Sequence, residues 1–223
     1  MTPFQPCGIL TLTTDFGQQG PFVAAMKGRI LGRFPAARIV DITHDILVHW
    51  PAEAGFWLEK SYRYFPVGTV HVAVVDPGVG THRNIAIVAA EGHVFMAPDN
   101  GLLAPLVDHA TEPRVYLLDV QRLGRFDLGV PSATFHGRDI FAPLAAELAA
   151  GRCQPGDLGN PADELIPSWN DTPLDSGRQV RQQAPVGPRT WDPSVRTAAT
   201  GIEKRRASYI VAGLFPRAVQ RSD

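Results

Sequence analysis

The chain has 223 residues, 44% of them hydrophobic and 19% charged, with a formal net charge of −1. That length suits one large domain or two small ones, and that composition builds an ordinary soluble core. The near-zero charge gives no electrostatic case for binding nucleic acid or an anionic membrane surface, and no run of about 18 apolar residues is present to span a bilayer.

Taken in order, Gly8 to Thr14 (GILTLTT) predicts a strand that ends on Asp15-Phe16-Gly17. Pro21 suits the start of a helix, where its missing N–H would be unpaired anyway. Val23, Met26, Ile30 and Leu31 recur at near-helical spacing until Pro35 stops the run. Arg38 to Thr43 is the next strand, and residues 51–62 (PAEAGFWLEKSY) read as a helix. Residues 69–76 (TVHVAVVD) read as a buried strand that stops on Asp76-Pro77-Gly78. Ile85 to Ala89 and Val94 to Met96 form a strand pair turning at Glu91-Gly92. Asp99-Asn100-Gly101 is a turn, with the glycine suited to positive φ. Residues 102–107 are a short helix or strand, and Arg114 to Asp119 is a further strand. Ala133 to Arg138 leads into a helix over 139–150, with Gly151 as its stop. Strands alternating with helices predict an α/β fold with a largely parallel sheet.

The remainder differs. Residues 1–167 carry 12 Lys and Arg against 17 Asp and Glu, while residues 168–223 carry 9 against 5. Hydrophobic periodicity is lost from Asp171 to Thr200, and Ala207 to Phe215 is a lone apolar segment. We place a boundary at Pro167-Ser168, giving an α/β domain over 1–167 and an atypical, poorly ordered tail over 168–223. The N-terminus lacks the basic n-region of a signal peptide. Cys7 and Cys153 form no C-x-x-C pair and read as free thiols, which suits a cytoplasmic protein.

Ligands of open α/β sheets bind beyond the carboxyl ends of the strands. Asp76 stands at such an end, and Arg83 follows seven residues on, across a Pro-Gly-Val-Gly turn. The two read either as a pair pointing into one pocket or as an ion pair bracing the loop. Asp15 is a candidate for holding a ribose diol, or else a turn aspartate. His136 could orient or deprotonate water near neutral pH, or bond to backbone within its loop. His44-Asp45 offers two metal-ligand types, but without a second spaced cluster a metal site is not expected.

The order of these strings carries more than each alone. Thr13-Thr14-Asp15-Phe16-Gly17, Met26-Lys27-Gly28, Val40-Asp41-Ile42-Thr43-His44-Asp45, Val74-Val75-Asp76-Pro77-Gly78-Val79-Gly80-Thr81 with Arg83, Ala97-Pro98-Asp99-Asn100-Gly101-Leu102-Leu103 and Thr134-Phe135-His136-Gly137-Arg138-Asp139 fall in sequence over residues 8–166. In this the chain resembles the S-adenosylmethionine hydroxide adenosyltransferase family, relatives of the adenosyl fluorinase and chlorinase. The resemblance implies that Asp76, Arg83 and His136 activate a water, which attacks C5′ of S-adenosylmethionine to give adenosine and methionine. It implies that Asp15 holds the ribose hydroxyls, that Phe135 lines the substrate pocket, and that no cofactor or metal takes part. Halogenation is disfavoured, because a carboxylate at Asp76 would repel a halide. Three departures stand out, one of them the His49-Trp50-Pro51 that follows His44-Asp45. Family members often carry an acidic residue before a Pro-Tyr pair where this chain has Gly20-Pro21-Phe22. The family's β-rich second domain, which completes a neighbouring subunit's site in a homotrimer, has no recognisable counterpart after residue 167. A shifted reading frame would account for that tail, leaving either a hydrolase or an impaired remnant that binds weakly or not at all.

Overall fold

The computed structural model describes residues 3–167. The boundary at 167/168, the aperiodic stretch and the apolar segment at 207–215 lie outside the described residues.

Among the described residues seven strands form one sheet: β1 (Ile9–Thr14), β2 (Arg38–Thr43), β3 (Val70–Val74), β4 (Ile85–Ala90), β5 (His93–Pro98), β6 (Arg114–Leu118) and β7 (Gly159–Ala162). Their spatial order is β2-β1-β3-β5-β4-β6-β7. The ladders β1/β2, β1/β3 and β3/β5 are parallel. Those of β4 with β5 and β6, and of β6 with β7, are antiparallel. The α/β class therefore holds, with a parallel half and an antiparallel half. The hairpin is why: Glu91 (φ 51°) and Gly92 (φ 78°) both adopt positive φ, the backbone of a tight two-residue turn that forces antiparallel pairing.

Helices cover both faces, and β3 shows why. Its residues alternate, so Val70, Val72 and Val74 join the core beneath α1 (Phe22–Arg33) and α4 (Ala142–Ala149). Ala73, with Val75 just beyond the strand, joins the core beneath α2 (Pro51–Ser61) and α3 (Ala104–His109). On α1, Met26 and Ile30 are fully buried, each worth about 1.5–3 kcal/mol, whereas Leu31 faces solvent. Residues 102–107, open between helix and strand, lead into α3, with Pro105 near its start. The helix predicted over 139–150 begins earlier, as a π-helical turn over Gly137–Phe141 that continues into α4. A short helix α5 (Pro155–Leu158) precedes β7. Among the described residues no helix is long and apolar enough to cross a membrane.

Candidate active site at the carboxyl ends of the central strands

Strands β1 and β3 run parallel and end side by side, with Thr14 registered against Val74. The residues beyond them line a cleft of about 270 Å³: Asp15 and Phe16 after β1, Asp76 and Val79 after β3, and Phe135 and His136 before the π turn. Four of the five predicted site residues, Asp15, Asp76, Phe135 and His136, thus lie along one cleft. The fifth, Arg83, sits behind it and reaches two of them.

The turn after β3 is built to bring Arg83 back. Asp76 Oδ1 accepts the Gly78 N–H at 3.2 Å, and the Thr81 hydroxyl donates to the Gly78 carbonyl at 2.7 Å. Gly80 has φ 78°, and a Cβ there would stand 2.3 Å from the Ala133 carbonyl oxygen. Only glycine lets this turn press against the loop carrying His136. Arg83 Nε then donates to both Asp76 oxygens at 2.8 Å, and Nη2 also donates to Oδ2. The same Nη2 lies 3.0 Å from His136 Nδ1. The side chains of Arg83 and Asp76 are 10% and 6% exposed, so this pair is largely removed from solvent screening.

Hydrogen-bond chemistry assigns the His136 tautomer. A guanidinium can only donate, so Nδ1 must accept and Nε2 carries the proton. Burial, and then the charge of Arg83, lowers the His136 pKa below its usual value, which keeps the ring neutral at pH 7. No hydrogen bond from Nε2 is made among the described residues.

Asp15 faces the same cleft. Its Oδ2 accepts the His49 N–H at 3.0 Å, from a residue at φ 61°. Burial raises its pKa, opposed by that hydrogen bond, and the nearby Asp76 pushes in the same direction as burial. The 47–50 loop is itself held by Glu53, which accepts the Leu47 N–H at 2.7 Å and the Trp57 indole N–H at 3.3 Å. The rings of Phe16, Phe22 and Phe135 meet edge-on or tilted, with centroids 5.4–6.1 Å apart.

His44 serves the fold. Its Nδ1 is 2.9 Å from the Thr14 hydroxyl, and its Nε2 is 3.1 Å from Asp41 Oδ1, off the line of a good hydrogen bond. Its backbone carbonyl accepts the Gly17 N–H at 2.8 Å, which fixes the turn after Asp15. Among the described residues no group of three or more His, Cys, Asp or Glu could hold a metal. Asn100 does more than shape its turn, since its amide donates to the Val75 carbonyl at 2.9 Å and so anchors the backbone just before Asp76. Gly101 has the expected positive φ of 86°. Another cleft, of about 400 Å³, opens between Phe4, Val67, Gly92 and Arg114. It lies at the opposite end of the strands, away from these charges.

Fold and site together define an α/β domain whose open cleft carries a carboxylate–guanidinium–imidazole cluster and a second carboxylate. The profile of the SAM hydroxide adenosyltransferase N-terminal domain matches residues 10–159, and the chain belongs to that family. It is similar to the (R)-S-adenosyl-L-methionine hydrolase of Methanocaldococcus jannaschii, 38% identical over 163 residues, which cover 71% of this chain and 58% of that protein. The hydrolase of the same name from Salinispora tropica is 42% identical over 147 residues, covering 66% and 55%. The crystal structure of a conserved protein from Thermotoga maritima superposes with a TM-score of 0.65 at 34% identity, covering 71% of this chain and 60% of that one. The chain spans a little over half the length of the curated relatives it matches.

Proposed function

We propose that this chain hydrolyses S-adenosylmethionine to adenosine and methionine by attack of water at C5′. The observation that carries the reading is the contiguous Asp76–Arg83–His136 cluster facing a cleft that Asp15 shares. The relatives' name, (R)-S-adenosyl-L-methionine hydrolase, supports it.

The chemistry suits the residues. A sulfonium is a good leaving group, so the step calls for no general acid at sulfur and no cofactor. The C5′–O bond forms as the C5′–S bond breaks, and the electron pair of the broken bond goes to sulfur. Sulfur then leaves as the neutral thioether of methionine. The weak partner is water, with a pKa near ~15.7. Asp76 is the acceptor for its proton. His136 cannot take that part, because its cleft-facing nitrogen already carries hydrogen. It donates instead to the attacking oxygen, while Arg83 holds both partners in place. Asp15 accepts hydrogen bonds from the ribose diol, and Phe135 packs on the substrate. Two carboxylates around one cleft also suit a cationic substrate better than a halide or a neutral thioether.

A second reading, favoured by the lack of an acidic residue at Gly20, is a catalytically impaired domain that folds but binds S-adenosylmethionine weakly or not at all. One experiment separates them: adenosine and methionine release by the purified full chain, beside Asp76→Asn. Release that falls about 10³-fold in the variant is the expected result. Folded protein that gives no release, with weak binding or none, would favour the second reading, and tight binding without release would overturn both. A homotrimer is proposed on the family resemblance, and sedimentation of the full chain tests it.

A further inference from the structure

His136 stands at the start of the π turn, where residues 131–135, which have no regular structure, lead into it. Arg83 grips the ring from one side, and Gly80 presses on the loop backbone at Ala133. A further set of bonds closes the loop on itself. Asp139 turns its carboxylate back, and its Oδ2 accepts the Ser132 N–H at 3.0 Å and the Ser132 hydroxyl at 2.7 Å. The Ser132 hydroxyl oxygen in turn accepts the Phe135 N–H at 3.1 Å. Arg138 occupies the rest of the carboxylate, with Nε 2.6 Å from Oδ1 and Nη2 2.9 Å from Oδ2. Its guanidinium also lies over the Phe135 ring, 5.1 Å from the centroid. Residues 132 and 139 thereby clasp the segment that presents both Phe135 and His136 to the cleft.

We propose that Ser132 and Asp139 are positioning residues, a clasp that keeps the His136 ring within reach of Arg83 and so fixes its Nε2–H tautomer. The argument is geometric. His136 Nδ1 makes its one hydrogen bond to a guanidinium that is itself committed to Asp76. A backbone shift of about 1 Å at residue 136 breaks that bond, and displacements of that size cost on the order of 10²-fold in rate. With Arg83 lost from Nδ1, either nitrogen can carry the hydrogen, and a fraction of the rings would present a lone pair to the cleft. The clasp does not titrate in the working range, because Arg138 holds the Asp139 carboxyl well below the usual carboxylate range.

The effect on rate rests on the hydrolase reading, but the effect on the tautomer does not. The test uses the full chain labelled with ¹⁵N-histidine, and His136→Gln assigns the His136 signals. The native chain is expected to show the Nε2–H form alone. Ser132→Ala is expected to show mixed tautomers and a His136 pKa that rises toward ~6.5. Ser132→Thr, which keeps the hydroxyl, restores the native spectrum, and Asp139→Asn gives an independent disruption. In turnover of S-adenosylmethionine, Ser132→Ala lowers kcat about tenfold with little change in KM, and costs nothing further in the His136→Gln background. An unchanged His136 spectrum in both Ser132→Ala and Asp139→Asn overturns the proposal. So does an equal loss of kcat with and without His136. Because the spectrum needs no substrate, a chain that fails to turn over S-adenosylmethionine would sink the hydrolase reading and leave this test intact.

Discussion

Two histidines of this domain, the half-buried His136 and the fully buried His71, solve the same electrostatic problem for opposite ends. Both are kept neutral mainly by burial. His71, on β3, is fully enclosed and has both nitrogens engaged by the protein. Nδ1 is 2.8 Å from the Thr11 hydroxyl and Nε2 is 3.3 Å from His93 Nδ1. Its ring stacks on Phe95 at 4.9 Å. That is a polar group fully satisfied inside a core, which adds rigidity and leaves nothing over for a ligand. His136 has one nitrogen tied to Arg83 and the other open toward a cleft. An imidazole half-satisfied by the protein is one the fold leaves available to something else.

The sharpest way to break that contrast is to remove the group that makes His136 half-satisfied. Arg83→Lys keeps the charge but offers a single ammonium in place of a planar fork. It cannot hold both Asp76 oxygens and also reach His136. On the proposed reading, hydrolysis of S-adenosylmethionine is expected to fall about 10³-fold, with substrate affinity changed far less. Activity within a few-fold of the native chain would show that the fork is only a loop brace.

How far the sequence reveals this contrast depends on distance along the chain. Asp76 and Arg83 were legible as a pair because seven residues and one turn join them. His136 lies 53 residues beyond Arg83, and only the family resemblance drew it into the same site. Neither His71 nor His93 carries a sequence signal, because a histidine inside an apolar strand breaks no pattern and its partners sit on other strands. Ser132 and Asp139 escaped notice for a different reason, since their contact depends on a loop geometry that carries no periodicity. Much of the fold came through, because β1, β3, α1 and α2 are apolar at the right spacing. Strand β7 did not, since Gly159-Asn160-Pro161-Ala162 has little strand propensity and is extended by its pairing with β6.

The core histidine gives the next largest effect. The folded-state pKa of His71 is lowered to about 3 by burial and by the neighbouring His93, whose own value burial also lowers. An unfolded chain protonates this histidine near ~6.5. Between those values the unfolded state binds a proton that the folded state refuses, so stability is lost as pH falls through the window. By pH 4 His71 alone should raise the unfolding equilibrium constant by about 10²-fold relative to pH 7. His71→Phe is expected to lose some stability at pH 7, where the Thr11 hydroxyl is left without its partner. Its stability should then fall less steeply in acid. Denaturant unfolding of both chains from pH 7 to pH 4 measures the two slopes, and equal slopes would remove His71 as the cause.

Asp15 carries the smallest effect and draws the contrast most finely, because one substitution should move stability and binding in opposite directions. Its pKa is raised, chiefly by burial, with the Asp76 charge adding to the shift. The sign is the reverse of a salt-bridged carboxylate: the folded state prefers the neutral form, so the ionised group destabilises the fold at pH 7. That penalty disappears as pH falls below the unfolded value near ~3.9. Asp15→Asn keeps an oxygen to accept the His49 N–H and removes the charge. Thermal stability should rise slightly at pH 7 and match the native chain in acid. An amide is a weaker acceptor for a ribose diol than a carboxylate, so the KM for S-adenosylmethionine should rise about tenfold, with kcat nearly unchanged. A half-buried charge that costs stability and strengthens binding is what a substrate contact looks like, whereas a turn aspartate would lose stability on neutralisation and leave KM alone.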